Sequence, residues 1–401
     1  MPTDSPGLPM RISRTVAAAA ATIIAVLLAI VMIGAYFPSI PKVGLFGPAL
    51  GGQYPFHLAL FALCGTVLAL LAWRAGLRRW GAAVTAIGSL ALVAALGIGG
   101  TQIAAAAGAG TDISFRDVGT QLAYPGTSPD ATRTFTVRDG EPLGVDVYLP
   151  EGHDPAAPSD EMIPAVILAH AGGFHTFDKA DLRGTARWLA DRGVAVFAVQ
   201  YRLAMEDRPT WEAAPQDLVT SLRWVREHAG EYGLDPDRIG LGGMSAGGTL
   251  AMNTAYRLQN GTLTATDGGL TPPPPASVVG FYPGTDVAQM WELNILGSRN
   301  AAELFTGGTP DQFPDRYAEV SPIGAVGPGL PPTLLVVGDR DHSATPASVR
   351  RLHDELRADG VDSTLEVLPF ADHAFDDAFG SIPAQHSRQI LLDFLTSDRN
   401  D

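Results

Sequence analysis

Three apolar runs near the start of the chain restrict its fold more than anything that follows. They are Thr15 to Phe37, Phe56 to Trp73 and Trp80 to about Ala107, and none contains Asp, Glu, Lys or Arg. A backbone inside a bilayer must satisfy its own hydrogen bonds, so such a run becomes a helix, and roughly 20 apolar residues cross the hydrocarbon. Signal peptides have shorter apolar cores, so the first run is read as a retained helix rather than a cleaved leader. A buried bundle in a soluble protein is the competing reading, and three contiguous uncharged runs count against it. The expected layout is a membrane region over residues 1–110, with helices at about 15–37, 56–73 and 80–107.

Flanking charges set the expected orientation. Arg11 and Arg14 precede the first run, and Arg74, Arg78 and Arg79 fill the link between the second and third. The link between the first and second, rich in proline and glycine, carries only Lys42. The N-terminus is therefore expected in the cytoplasm, and everything after Thr111 outside. Trp73 and Trp80 suit an interfacial belt at the inner loop.

The remainder has the mixed composition of a soluble domain. A net charge of −15 argues against nucleic acid or an anionic membrane surface as partner. The single cysteine, Cys64, rules out a disulfide framework or a cysteine-based metal site within one chain. Residues 111–131 read as a polar linker with turn signals at Pro125-Gly126 and Ser128-Pro129. Thr132 to Val137 and Leu143 to Leu149 alternate around Asp139-Gly140, which is a hairpin pattern. Pro150 to Pro164 reads as a loop.

Apolar strands and amphipathic helices then take turns. Strands are expected at Ala165 to Ala169, Val194 to Val199, Arg238 to Gly242, Ser277 to Tyr282, Thr333 to Val337 and Thr364 to Leu368. Helices are expected at Asp181 to Arg192, Ala213 to His228, Pro346 to Asp359 and about Pro383 to Leu395. Continuous apolar strands alternating with helices imply a doubly wound, mostly parallel α/β sheet covered on both faces. The alternation breaks at about 283–328, read as an insertion over the sheet's C-terminal edge, where such sheets bind ligands. There Trp291, Leu293, Ile295, Leu296 and Phe305 either line a pocket or pack beneath a cap.

The chemistry-bearing stretch is Gly242-Gly243-Met244-Ser245-Ala246-Gly247-Gly248. It places a serine in G-x-S-x-G between a short strand and a helix running from Thr249 to Leu258, which demands a sharp turn with strained backbone at Ser245. Side chains at 243 and 247 would collide with that turn. The following helix aims its N-terminal N–H groups at the serine, where negative charge develops.

A serine hydroxyl needs a base, and the base needs an acid to orient it. His373 lies in Phe370-Ala371-Asp372-His373-Ala374-Phe375, just after a strand and on the edge expected for Ser245. His342 and His386, read as loop residues, are worse placed. The acid is sought after the preceding strand, in Gly338-Asp339-Arg340-Asp341-His342, where Asp339 and Asp341 compete and Asp372 is a further candidate. The spacing of these Asp and His residues matches no metal-ligand motif. His170-Ala171-Gly172-Gly173-Phe174 follows another strand and offers backbone N–H groups for an oxyanion, and Ala246 offers one more.

Taken together, Thr132 to Leu395 resembles the α/β-hydrolase fold, within the esterase/lipase group related to hormone-sensitive lipase and to small feruloyl-type esterases. His170-Ala171-Gly172-Gly173 is similar to the His-Gly-Gly-Gly motif of that group. Tyr201-Arg202-Leu203, Pro215, Asp217, Trp224-Val225-Arg226 and Tyr232 to Ile239 follow its run into the nucleophile, and Ser245-Ala246-Gly247-Gly248 its elbow. The resemblance implies Ser245 as nucleophile, His373 as base, Asp341 as acid, three residues after Gly338, and Gly172, Gly173 and Ala246 as the oxyanion hole. Two departures stand out. Ala171 replaces the first glycine of the oxyanion motif. Met244 stands where the lipase-like branch has Asp or Glu, which tilts the match toward the feruloyl-esterase-like branch. Three membrane helices are standard in neither branch.

The expected function is a membrane-anchored serine hydrolase that cleaves small-molecule or lipid carboxylic esters through an acyl-enzyme. The catalytic domain is expected over 132–401, with no metal or cofactor required. The rivals are an acyltransferase or an amidase/peptidase using the same acyl-enzyme, and a non-catalytic membrane sensor or scaffold.

Overall fold

Apolar strands lie side by side at the centre of their sheet because both of their faces are covered. The computed structural model describes residues 8–154 and 162–397. Residues 1–7, 155–161 and 398–401 lie outside the described residues, and with them part of the loop read over Pro150 to Pro164. The helix containing Arg11 and Arg14 is described, but not those side chains.

The described residues form an eight-stranded sheet. Its strands are β1 (Ala131–Arg138), β2 (Glu141–Tyr148), β3 (Ile163–Ala169), β4 (Ala195–Val199), β5 (Leu234–Met244), β6 (Val278–Phe281), β7 (Thr333–Gly338) and β8 (Ser363–Leu368). Their order is β1-β2-β4-β3-β5-β6-β7-β8. The hairpin β1–β2 joins β4 antiparallel, whereas β4, β3, β5, β6 and β7 pair parallel. Every residue of β4, β6 and β7 is buried, so side chains on both faces are covered. Burial of one side chain such as Ile167 or Phe197 stabilises by about 1.5–3 kcal/mol. The mostly parallel α/β architecture expected from the sequence is present.

The helices are α1 (Leu8–Tyr36), α2 (Val43–Gln53), α3 (Pro55–Arg74), α4 (Arg78–Gly108), α5 (Phe115–Thr120), α6 (Arg183–Ala190), α7 (Ala213–Glu227), α8 (Ala246–Gln259), α9 (Val287–Leu293), α10 (Ser298–Thr306), α11 (Pro314–Val320), α12 (Pro346–Ala358) and α13 (Ile382–Thr396). Packing divides the chain into two units. The sheet unit holds Ala123–Val367 and the chain from Gln385 onward. The helical unit holds the chain up to Leu122 together with Leu368–Ala384.

Among the described residues of the helical unit, three helical stretches are long and apolar enough to cross a membrane: Thr15–Tyr36, Pro55–Arg74 and Arg78–Gly108. Their buried seam is made of small residues such as Ala35, Ala59, Ala62 and Ala95, while Leu60, Phe61, Leu90 and Val93 point outward. The proline- and glycine-rich link after the first run holds helix α2. Glycine makes this possible: a Cβ on Gly47 would lie 2.2 Å from the Ala35 nitrogen, so α2 folds directly onto α1. Likewise, α5 occupies part of the stretch expected as linker. His386, expected in a loop, lies in α13 with its side chain buried and Glu366 Oε1 at 3.6 Å from Nε2.

Candidate active site

The Ser245 turn is built by register. β5 runs beside β3 with Ala169 opposite Gly243, and beside β6 with Met244 opposite Phe281. Ser245 follows at φ 51°, ψ −117°, immediately before α8, and its N–H donates to the Phe281 carbonyl at 2.9 Å. A non-glycine residue held there costs on the order of 1–3 kcal/mol and persists only where its surroundings over-determine it. Those surroundings are visible. A Cβ on Gly247 would lie 2.1 Å from the Ala169 carbonyl oxygen and 2.5 Å from that of His170, so the first turn of α8 touches the end of β3. A Cβ on Gly243 would lie 2.5 Å from the Gly247 carbonyl carbon. Thr249, unnoticed in the sequence, ties the turn: its Oγ1 donates to the Ser245 carbonyl at 3.2 Å and accepts the Gly284 N–H at 2.9 Å. A Thr four residues after a helix-initiating Ser is common, so sequence gave it no distinguishing signal.

The His170–Phe174 loop leaves β3 against this turn. Gly172 has φ 108°, and a Cβ there would meet the Thr176 carbonyl oxygen at 2.0 Å, so glycine is required on both counts. Gly173 has φ 57° and faces Ala301 of α10. His170 is wholly buried, stacked on Tyr201 at 4.3 Å, with Nδ1–H donating to the Ala171 carbonyl at 2.7 Å. Burial pushes its pKa below the ordinary value, against the opposing pull of that carbonyl, so the imidazole is neutral. The Tyr201 hydroxyl donates to the His170 carbonyl at 3.0 Å, and burial pushes that phenol upward. Ahead of Ser245, Arg202 grips Asp217 with two nitrogens, Nε at 3.0 Å and Nη2 at 2.8 Å.

Asp341 follows β7, which pairs with β6, which pairs with Ser245's strand. Asp341 is 4% exposed, and its Oδ1 accepts the N–H groups of Ser343 at 2.8 Å and Ala344 at 2.7 Å. Asp339, its competitor, has a side chain 32% exposed beside Arg340. Ser245, Gly172, Gly173, Ala246 and Asp341 thus belong to the sheet unit, whereas His373 belongs to the helical unit. Asp372 beside it accepts the His373 N–H on Oδ1 at 2.8 Å.

The insertion residues divide. Phe305 is fully buried and stacks on Phe174 at 4.1 Å, so it packs the His170–Phe174 loop. Trp291 donates to Glu303 at 2.7 Å, and Leu296 is exposed.

The BD-FAE family profile matches residues 145–356, more than half of the chain. The chain belongs to the BD-FAE family. This BD-FAE protein is 30% identical over 280 residues to the ethyl acetate hydrolase of Pseudomonas putida, a match covering 65% of this chain and 80% of that one. It is 31% identical over 226 residues to esterase LipI of Mycobacterium tuberculosis, covering 55% of this chain and 63% of the relative. Esterase Est2 of Thermogutta terrifontis superposes with a TM-score of 0.55 at 22% identity, over 68% of this chain and 95% of that one. The fold is therefore that of the α/β-hydrolase esterases. The activity is carboxylic ester hydrolysis.

Proposed function

We propose that this protein is a membrane-anchored serine esterase whose Ser245, His373 and Asp341 form a catalytic triad on the extracytoplasmic side. In this reading His373 accepts the Ser245 proton as Oγ attacks the ester carbonyl. N–H groups of Gly172, Gly173 and Ala246 hold the oxyanion. His373 then returns the proton to the departing alcohol, and the acyl group stays on Ser245. Water, deprotonated by His373, hydrolyses the acyl-enzyme and regenerates the hydroxyl. Asp341 orients the imidazole and stabilises its cation.

One observation carries the reading. Ser245 sits in a strained turn at the start of a helix whose first turn abuts the oxyanion loop, so a nucleophile and fixed N–H donors share one locality. Asp341 supports it as a buried carboxylate at the end of β7, two strands away from that of Ser245. The outward apolar faces of α1, α3 and α4 support the anchor.

Ser245→Ala should lower ester turnover by about 10⁴–10⁶-fold and abolish labelling by a fluorophosphonate probe. Retention of full turnover would refute the assignment. For the orientation, cysteines are placed at Gly76 and at exposed Leu270 in a Cys64→Ala background. An impermeant thiol reagent should label only the 270 site in intact cells.

A further inference from the structure

The loop carrying His373 is held by the N-terminal helices, and we propose that Gln53 and Gln102 are positioning residues for catalysis that act through it. The inference rests on the His373 role proposed above. Gln53 is the last residue of α2. Its Nε2 donates to the Ala374 carbonyl at 3.3 Å and its Oε1 accepts the Ala378 N–H at 3.1 Å, so one amide spans the turn that follows His373. Gln102 is 2% exposed within α4, and its Nε2 donates to the Gly52 carbonyl at 2.8 Å and to the Pro369 carbonyl at 3.2 Å. It therefore ties the start of the same loop to the end of α2. The Nε2 of this buried amide is paired twice while its Oε1 has no hydrogen-bond partner, a cost that within an otherwise apolar helix marks function.

Apolar contact alone does not explain this arrangement. The Phe370 ring does pack edge-on to Tyr36 at 5.0 Å, beside Met32 and Ile98. But two amide side chains meet backbone groups at residues 369, 374 and 378, on either side of His373. Phe370 and Ala374 also have φ of 56° and 53°, left-handed conformations that non-glycine residues keep only where neighbours impose them. The Phe370 carbonyl sits so close to Gly52 that a Cβ there would lie 2.1 Å from it. The strained backbone bracketing the base is thus imposed by α2 and α4. These helices shape the loop that carries His373.

The test uses the full-length protein in detergent or nanodiscs with a p-nitrophenyl ester. Gln53→Met keeps side-chain length, Gln102→Leu replaces the amide by an apolar branch of similar bulk, and both delete the hydrogen bonds. Each should lower kcat by about 10–100-fold with KM within twofold, since a small misplacement of a reacting group has that scale of effect. The acid limb of the kcat–pH profile should move, and hydrogen exchange at residues 371–378 should rise. A purely structural role would lower the yield of folded protein without moving the pH profile. Should Gln102→Leu fail to assemble, Gln53→Met at the helix end decides. A kcat and pH profile unchanged in Gln53→Met, alongside an inactive His373→Ala, would overturn the inference. An active His373→Ala would instead overturn the triad and this inference with it.

Discussion

The two regions proposed to bring catalytic groups to this protein are built by different means. The Ser245 turn is made by a parallel sheet: register sets Ala169 beside Gly243, and backbone meets backbone at Gly247. The His373 loop is held by side chains, two glutamine amides and one aromatic ring, from helices far earlier in the chain. Strain at Ser245 is resisted by hydrogen bonds shared with the whole sheet. Strain at Phe370 and Ala374 is met by side-chain contacts that include Gln53, Gln102 and Tyr36. The first arrangement is rigid, because it moves only if the core moves. The second is local, so it can loosen while the fold persists.

Paired glycines break or sharpen this contrast most directly, because both approach a carbonyl oxygen to the same extent. Gly247→Ala should have the larger effect. Its methyl drives into the Ala169 carbonyl at 2.1 Å inside the sheet, so we expect at least about 3 kcal/mol of destabilisation and loss of turnover, read by thermal melting and ester hydrolysis. Gly52→Ala meets the Phe370 carbonyl at the same 2.1 Å, but on a loop able to shift. Its kcat should fall by about 10–100-fold with the melting temperature nearly held. Equal loss of folding in both variants would dissolve the distinction.

Acidification probes the rigid side. His170 is neutral in the fold because burial lowers its pKa, while the unfolded chain takes up a proton near the ordinary value of about 6.5. Its contribution to stability is complete above that pH and is lost as pH falls toward the folded value, with a slope of at most about 1.4 kcal/mol per pH unit. His170→Phe, which keeps a ring against Tyr201, should flatten that slope in melts between pH 7 and pH 5. The smallest effect is expected at exposed Leu270 on the sheet unit, where Leu270→Ser should change stability by less than about 0.5 kcal/mol and leave kcat unchanged.

Much of this was legible in the chain. The uninterrupted apolar strands announced a covered parallel sheet, and the hairpin around Asp139-Gly140 appeared where alternation placed it. G-x-S-x-G, His-Ala-Gly-Gly and the resemblance they carry pointed to ester hydrolysis. The illegible parts share a cause. Helix α2 hides in a segment of prolines and glycines, residues that read as loop. There the glycines serve close approach to α1, a property of the partner helix rather than of local propensity.

Composition and periodicity alone settled the apolar helices, the alternating strands and the serine turn, because each is written in residues close together along the chain. Only the tertiary structure decided that residues 368–384 pack with the N-terminal helices, and that Gln53 and Gln102 meet that segment. Those contacts join positions 267 to 325 residues apart. A hydrogen bond between a side-chain amide and a distant backbone group leaves no periodic trace, so no pattern in the sequence foretells it.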